Sequence, residues 1–271
     1  MDNTVLLEYR DSDLYVHHTR TEKPDPENFT FHNHSHNMFE VYLFLAGEAD
    51  YVVEGHIYAL CRGMVIFTAL GQTHHLRLKS DAPYERVALL FDQRLLPAGF
   101  EKLIERARNG ESGFPLAPEA LVNVLKNLAL ADRSPEKRQG LLSALYLLLT
   151  EINDEIAEPR DTPYVTDEAV AGVIASVTRH LTEPIDLALI EKECFLNRSY
   201  LERRFRHVMG CSIWQYIIRK RVFHARQQLV ITRDIGKSFS LSGFNDYSAF
   251  YRAYKKVIGL SPAEDLKRIN G

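Results

Sequence analysis

Four side chains in the first part of the chain could ligate a metal ion. His34 and His36 are two residues apart and Glu40 follows at an even spacing, so on an extended strand all three face one side, as does His32. His74 comes from later in the sequence. Imidazole and carboxylate together suit zinc, nickel, iron or manganese. These residue types therefore permit a divalent metal site.

The spacing of these residues resembles that of the cupins. The matching positions of the two cupin motifs are, in chain order, His34, His36, Glu40, Gly47, Gly63, Gly71 and His74. Ala69 and Leu78 stand where Pro and Asn are usual. The resemblance implies a small β-barrel in which the two early histidines, the glutamate and His74 converge on a metal. The alternative is that these groups hydrogen-bond a ligand or one another without a metal.

The same strand predicts a binding site for a small molecule. If the parity of Glu40 continues, Tyr42 and Phe44 also face the interior of the barrel. Tyrosine, histidine and a carboxylate suit a small polar ligand such as a sugar, through hydrogen bonds and ring stacking. The candidate ligand-binding residues are therefore His34, His36, Glu40, Tyr42 and His74.

A second group of polar residues lies on predicted helices near the C-terminus. After Ile185 a short helix leads to a tight turn at 194–196, and Asn197 is a favourable N-cap for a helix from Arg198 to Val208. The residues at core spacing on that helix are Leu201, Arg204, Phe205 and Val208. The outward residues are Ser199, Glu202, Arg203 and Arg206. This layout is typical of a helix-turn-helix, whose second helix reads the major groove.

The same layout occurs again between Asp234 and Gly259. A short helix leads to a turn at Gly243-Phe244, and Asn245 or Asp246 caps a second helix. The outward residues of that helix are Tyr247, Ser248, Tyr251 and Arg252. One long helix, Ile213 to Leu229, connects the two units and would hold them at a fixed separation.

Ile185 to Lys267 resembles the DNA-binding domain of the AraC/XylS family of bacterial regulators. The matching motifs are Ser199-Tyr200-Leu201-x-Arg203-x-Phe205, Gly210-x-Ser212, Arg221-x-x-x-Ala225, Gly243-Phe244, Phe250-x-Arg252, Lys255 and Gly259-Leu260-Ser261-Pro262. The resemblance implies that two helices enter successive major grooves on one face of double-stranded DNA. It assigns Ser199, Glu202 and Arg203 to the bases of one half of the site, and Tyr247, Ser248, Tyr251 and Arg252 to the other.

The chain departs from this family at four positions. Glu191 and Phe239 stand where a small Ala is usual in the first helix of each unit, and Ser238 and Ser242 replace Ile and Val. Small residues there allow two helices to approach closely. We therefore expect the second unit to pack differently and to bind DNA more weakly.

The charge is divided unevenly along the chain. From Glu168 to the end there are 17 Lys and Arg against 10 Asp and Glu, although the formal net charge of the whole chain is -3. The C-terminal part therefore carries +7 and the remainder -10. A basic end on an acidic chain indicates that one part meets a polyanion.

Length and composition favour an intracellular protein of two domains. A chain of 271 residues can bury two cores. Cys61, Cys194 and Cys211 form no C-x-x-C pair, which is typical of free thiols in a reducing compartment. No secretory signal is visible, and no apolar run approaches the roughly 18 residues of a membrane span. We expect a cytoplasmic location and no membrane partner.

The remaining pattern predicts strands followed by helices. Short β-type runs occupy residues 40–45, 50–53, 57–60, 64–67 and 86–91, with Glu54-Gly55 as a hairpin turn. Helices are predicted near Pro118–Ala131 and Pro135–Ala157. The second helix carries an apolar stripe of Leu141, Leu145, Leu148, Ile152 and Ile156. This stripe either pairs with a second subunit, which we favour, or is covered by the barrel.

The sequence thus predicts an α+β protein of two domains. Residues 1–96 form a cupin β-barrel, 97–158 a helical dimerisation segment, 159–167 a linker, and 168–271 an all-α domain with two helix-turn-helix units. The predicted function is ligand-responsive transcriptional regulation, without enzymatic activity. The expected partners are DNA, a sugar or other small polar effector, a second copy of the chain and RNA polymerase. The alternative is a metal-dependent cupin enzyme, an isomerase or dioxygenase, fused to a DNA-binding module.

Overall fold

The computed structural model describes residues 3–27, 33–157 and 164–270, with no side chains for 154–157. The chain divides into two compact units, and strands with three helices form the bulk of the first. Helices from residue 168 onward form the bulk of the second. The α+β architecture predicted from the sequence is confirmed. None of the described helices combines the length and the apolar composition needed to cross a bilayer.

The strands of the described chain form two sheets. They are β1 (Asn3–Arg10), β2 (Leu14–Thr21), β3 (Phe39–Ala46), β4 (Ala49–Val53), β5 (His56–Ala59), β6 (Met64–Thr68), β7 (His74–Leu78), β8 (Tyr84–Phe91), β9 (Gly113–Pro115) and β10 (Tyr164–Thr166). One sheet has the order β1-β2-β8-β3-β6-β9 and the other the order β10-β5-β4-β7. β3 pairs antiparallel with both β6 and β8.

One apolar core lies between the two sheets. It takes alternate residues from each strand, because successive side chains of a strand point to opposite faces. The six-stranded sheet contributes Tyr42, Phe44, Met64, Ile66, Tyr84 and Ala88. The four-stranded sheet contributes Ala49, Tyr51, Val53, Tyr58 and Leu76. The two sheets therefore face each other, and Tyr42 and Phe44 lie in the interior as their parity with Glu40 predicts.

The predicted hairpin turn is present between β4 and β5. Val53 pairs with His56, and Glu54 and Gly55 both have positive φ, at 45° and 83°. Two successive residues with positive φ form the turn that matches the twist of a hairpin.

The apolar stripe on the third helix is buried within the chain. The helices of this region are α1 (Glu101–Arg108), α2 (Pro118–Arg133) and α3 (Lys137–Ala157). Leu141, Leu145, Leu148 and Ile152 have no exposed surface, because α3 packs against α2 and β9. The interpretation of this stripe as a subunit interface is therefore wrong, and the alternative, cover by the chain's own first unit, is the observed one. The side chain of Ile156 lies outside the described residues.

Residues 97–158 also do not form a separate helical segment. β9 lies within this range and extends the six-stranded sheet by pairing with β6, where Val65 pairs with Phe114. Leu103 and Ala107 of α1 are fully buried. A strand of three residues carries too little sequence pattern to be recognised, and its pairing with a distant strand defines it.

Seven helices of the described chain form the second unit. They are α4 (Glu168–Arg179), α5 (Leu187–Cys194), α6 (Arg198–Met209), α7 (Ile213–Thr232), α8 (Ile235–Ser240), α9 (Tyr247–Ile258) and α10 (Pro262–Asn270). α7 is the predicted connecting helix and begins with a capping box of Ser212 and Gln215. Its residues Val222, Ala225 and Leu229 form one core with Phe250 and Tyr254 of α9.

The predicted linker is only partly covered by the described residues. Residues 159–163 lie outside them. The later residues of the predicted linker are ordered elements, because Tyr164–Thr166 is β10 and Asp167 caps α4 by accepting a hydrogen bond from the Val170 amide at 3.0 Å.

Candidate functional site

The first candidate recognition helix, α6, presents a polar face to solvent. Asn197 caps it as predicted, with its side chain accepting a hydrogen bond from the Tyr200 amide at 2.9 Å. Its buried face consists of Leu201, Phe205, Val208 and Met209. The opposite face exposes Ser199, Arg203 and Arg206. Three of the four predicted outward residues of this helix are therefore accessible to a ligand as large as DNA.

Glu202 and Arg204 differ from the expectation. Glu202 is only partly exposed, and its Oε2 atom is buried without a hydrogen-bond partner among the described residues. Arg204 was predicted at a core position but is exposed and forms an ion pair with Asp167. Position 204 lies at the edge of the apolar stripe, where spacing alone does not decide between core and surface.

The second candidate recognition helix, α9, has the same design with different side chains. Asp246, rather than Asn245, is its N-cap and accepts from the Ala249 amide at 2.6 Å. Phe250 and Tyr254 are fully buried. The exposed face carries Tyr247, Ser248, Tyr251 and Arg252, as predicted.

Arg221 lies beside the turn of the second helix-turn-helix and has a structural role that the sequence did not predict. It is 5% exposed, and its guanidinium donates to the carbonyl oxygens of Leu181 at 2.9 Å and Glu183 at 2.7 Å. Gly243 packs against the same place with φ +80°, where a Cβ atom would lie 2.5 Å from the Leu181 carbonyl oxygen. The motifs Arg221-x-x-x-Ala225 and Gly243-Phe244 include both residues of this contact. The burial of Arg221 was not predicted, because a charged side chain is expected at the surface.

The two serines that replace apolar residues are accommodated by hydrogen bonds. Ser238 is 1% exposed, and its hydroxyl donates to the Ala225 carbonyl at 2.7 Å. The hydroxyl of Ser242 donates to the Phe239 carbonyl at 2.6 Å. A buried hydroxyl is tolerated when it is bonded in this way. Phe239, at the usual position of Ala, packs on Tyr247 and Phe250 with ring centroids 5.4 and 5.5 Å apart.

Three of the four predicted metal ligands, His34, His36 and His74, lie in one compact unit, whereas Glu40 belongs to the other. The ring centroid of His74 is 4.4 Å from that of His34 and 4.9 Å from that of His36. The main chains of His34 and His74 are joined by two hydrogen bonds, of 3.1 and 2.9 Å. This bridge brings the two cupin-like motifs together.

The tautomer of His74 suits a ligand role. Its Nδ1 atom lies 2.9 Å from the carbonyl oxygen of Gln72. Because a carbonyl oxygen only accepts, Nδ1 carries the proton and Nε2 is the nitrogen that can ligate. A histidine ligand is usually fixed through its second nitrogen in this way. His74 and Glu40 are 1% and 5% exposed, so the donor set includes two buried groups.

The other described histidines of this region differ in exposure. His75 is 7% exposed, because it lies in the buried segment that begins β7. His56 is partly exposed. His32 lies outside the described residues.

Family models match both parts of the chain. The model described as "AraC-like ligand binding domain" matches residues 18–155, and the one described as "Helix-turn-helix domain" matches residues 191–268. The first range contains the histidine cluster and the second contains α6 and α9.

Known proteins with similar sequences carry regulatory names. The "Probable transcriptional regulator LumQ" of Photobacterium leiognathi is 32% identical over 88 residues, which are 32% of this chain and 35% of that protein. The "Xylose operon regulatory protein" of Escherichia coli is 26% identical over 162 residues, or 54% of this chain and 41% of that protein. The chain thus matches about a third to two fifths of these relatives. The "HTH-type transcriptional activator RhaS" of Pectobacterium carotovorum is 23% identical over 89% of both chains.

Proposed function

We propose that this chain, which belongs to the AraC family by its AraC-like ligand binding domain, is a ligand-responsive transcriptional regulator. Its C-terminal unit binds double-stranded DNA through α6 and α9, and its N-terminal unit binds the effector. The proposal makes it a binding protein and not an enzyme.

The observation that carries the proposal is the matched design of α6 and α9. Each helix follows a short helix and a tight turn, has a side-chain N-cap, and buries one apolar face while exposing a polar one. The exposed residues of both helices are of types that read base edges. They are Ser199, Arg203 and Arg206 on α6, and Tyr247, Ser248, Tyr251 and Arg252 on α9. The net charge of +7 from Glu168 onward favours the phosphate backbone.

DNA binding is tested by selecting bound sequences from a random pool and measuring affinity. Wild-type protein should enrich one sequence and bind it more tightly than scrambled DNA. Arg203→Ala should cost about 1–3 kcal/mol on the selected sequence and much less on scrambled DNA. Arg62→Ala, which removes an exposed arginine of the first unit, is the charge-matched control and should bind as wild type. Failure to enrich any sequence would contradict the proposal.

The proposed effector is a sugar or another small polar metabolite. Tyr42 lies in the interior of the first unit and Glu40 is buried on the same strand, which supports a polar ligand. The likeness to the regulatory protein of a xylose operon supports a carbohydrate or a related compound.

We propose a second copy of the chain and RNA polymerase as further partners. The proposed location is the cytoplasm, where such a regulator meets DNA. Since the leucine stripe is buried, a subunit contact must use other residues. Val122, Leu130 and Tyr146 are exposed apolar side chains on α2 and α3. A sedimentation experiment at micromolar concentration should find a dimer, and a monomer would remove the second copy from the proposal.

We also propose a divalent metal held by His34, His36, Glu40 and His74, supported by the proximity of the three histidine rings and by the tautomer of His74. The metal would be zinc, nickel, iron or manganese. When bound, such an ion would supply a Lewis acid, the chemistry on which the alternative function of a fused cupin isomerase or dioxygenase depends.

Metal binding is tested by elemental analysis and thermal stability. Protein incubated with zinc, nickel, iron or manganese and then desalted should retain near one ion per chain and melt at a higher temperature. His36→Ala combined with His74→Ala should abolish both effects, whereas the exposed His207→Ala should not. Unmutated protein that retains none of these ions would leave a polar pocket in place of the metal site.

A further inference from the structure

One face of α2 is exposed along the length of the helix. The buried side chains of α2 are Ala120, Leu121, Val124, Leu128 and Ala131. Another set of residues recurs at spacings of three and four, and this spacing places its members together on the opposite face. This set, the outer stripe, consists of Glu119, Val122, Lys126, Leu130 and Arg133, all of which are exposed.

The outer stripe contains two apolar side chains. Leu130 is 69% exposed and Val122 is 47% exposed. They lie four residues after and four residues before Lys126, so each is about one turn from the centre of the stripe. Single apolar side chains are common on protein surfaces. Two on one stripe, spaced evenly about its centre, form a surface that is stabilised when another apolar surface covers it.

The two ends of the outer stripe carry opposite charges. Glu119 lies seven residues before Lys126 and Arg133 lies seven residues after it, which is about 10 Å in each direction along the helix. The carboxylate is in the first turn of α2 and the guanidinium is in the last turn. The stripe is therefore acidic at one end, apolar on either side of its centre and basic at the other end.

This pattern is complementary to itself. When two copies of α2 lie side by side and antiparallel, about a twofold axis at Lys126, Glu119 of each copy lies at the level of Arg133 of the other. Val122 of each copy then lies at the level of Leu130 of the other. The twofold axis repeats each of these contacts, because both copies use the same surface. In a parallel pair, by contrast, like charges would meet at both ends.

Lys126 limits the strength of such a pair. It lies at the axis and meets its own copy, and like charges that face each other oppose association. Association thus depends on the two charged ends and on the apolar side chains between them. The charges at the ends therefore decide whether the pair forms.

We propose that the outer stripe of α2 is the surface that binds a second copy of this chain, antiparallel and about a twofold axis at Lys126. The inference rests on the proposed function, because it specifies the surface through which the proposed second copy is bound. It moves the subunit contact from α3, whose leucines are buried, to the exposed face of the neighbouring helix.

The test exchanges the charges at the ends of the stripe in the full chain. Glu119→Arg makes both ends basic and Arg133→Glu makes both ends acidic, so in sedimentation each variant alone should dimerise about tenfold or more weakly than wild type. An equimolar mixture of the two variants should form a mixed dimer with an affinity near that of wild type, because opposite charges then face each other at both ends. In a parallel pair neither variant would be weaker than wild type, since like charges already meet there.

Two further variants locate the contact. Lys126→Cys should form a disulfide-linked dimer on mild oxidation, because the axis places this residue beside its own copy. Lys102→Cys, exposed on α1, is the control, and wild type with its exposed Cys61 sets the background. Leu130→Gln should weaken dimerisation, whereas Ile231→Gln, which changes a residue of the second unit that is 66% exposed, should not.

Three results would overturn the inference: dimerisation unchanged in both charge variants, a mixture that dimerises no better than its two components, or no more cross-linked dimer with Lys126→Cys than with Lys102→Cys. Cross-linking does not use the charge variants, so a misfolded variant leaves the test intact. Affinity for the selected DNA is measured on the same proteins. Intact DNA binding with a dimer that does not respond to these changes overturns this inference alone, whereas absent DNA binding by wild type overturns the proposed function.

Discussion

The two helix-turn-helix units share a layout but are held together differently. The first helix-turn-helix adds charged contacts to its apolar core. Arg204 is paired to Asp167, and His180 lies 2.9 Å from both Glu183 and Glu193. In the second, Phe250 packs against the rings of both Phe239 and Phe244, and Arg226 forms a buried ion pair with Asp265 at 2.8 Å. The charged contacts of the first helix-turn-helix are more exposed and include a histidine, so its stability should depend more on pH and salt.

The turns of the two helix-turn-helix units place different residues in the left-handed conformation. In the second helix-turn-helix Gly243 takes the positive φ, and a Cβ atom there would lie 2.5 Å from the Leu181 carbonyl oxygen. In the first helix-turn-helix Phe195 takes φ 54° and is 93% exposed. A bulky residue in the left-handed region is unfavourable, so the first turn carries backbone strain that the second avoids. One turn is thus fixed by shape, whereas the other tolerates substitution.

Gly243→Ala should have the largest effect on stability. The new methyl group meets a carbonyl oxygen at 2.5 Å and requires a left-handed backbone, so the free energy of unfolding should fall by roughly 2–5 kcal/mol. Gly259→Ala is the matched control, because Gly259 has φ +83° and nothing within 4 Å of the added Cβ. Urea unfolding should show a much smaller loss for the control. Equal losses would mean that backbone conformation alone, and not the contact with Leu181, fixes this turn.

Phe195→Gly should stabilise the first helix-turn-helix. Glycine removes the strain of the left-handed backbone, and the exposed ring loses little buried area, so unfolding should require roughly 0.5–1 kcal/mol more. Phe195→Ala keeps the strain and should be close to neutral. If alanine stabilises as much as glycine, the exposed ring rather than the backbone is responsible.

Tyr200→Leu should weaken DNA discrimination by a smaller amount. The guanidinium of Arg203 lies 5.7 Å from the Tyr200 ring, a cation–π contact that restricts the arginine before DNA is bound. Such a contact at an exposed site is worth about 0.5–1 kcal/mol. The ratio of affinities for selected and scrambled DNA should fall accordingly, while Tyr200→Phe, which keeps a ring, should restore it. A ratio unchanged in Tyr200→Leu would exclude a positioning role for this ring.

The smallest effect should come from His180. Hydrogen bonds with Glu183 and then Glu193 raise the pKa of His180 above its ordinary value of 6.5. A raised pKa in the folded state means that the stabilisation is complete below 6.5 and is lost as pH rises through the higher folded value. His180→Gln should therefore be less stable than wild type at about pH 5.5 and equal to it at about pH 8.5. A difference that persists at the higher pH would show that these bonds do not depend on the proton.

Local signals predicted much of this molecule. The hairpin at Glu54-Gly55, the cap at Asn197 and the outward residues of α9 follow from residue type and spacing over a few positions. The resemblance to the cupin motifs also selected His34, His36 and His74, although residues 35–38 form no strand and the bridge between His34 and His74, rather than even spacing along a strand, groups them.

Features that depend on distant parts of the chain could not be predicted in this way. The burial of the α3 leucines depends on α2 and β9, and the buried role of Arg221 depends on carbonyl groups 40 and 38 residues away. In each case the side chain gives no local indication of what covers it.

We propose that α6 and α9 read two separate halves of one DNA site. The direct measurement is the base preference of each half, obtained by selecting DNA with wild type, Arg203→Ala and Arg252→Ala. Each variant should lose about 1–3 kcal/mol of discrimination at bases of one half only, with the two affected halves about one helical turn apart. Loss of preference in the same half for both variants, or an equal loss on selected and scrambled DNA, would show that the two helices do not read separate halves.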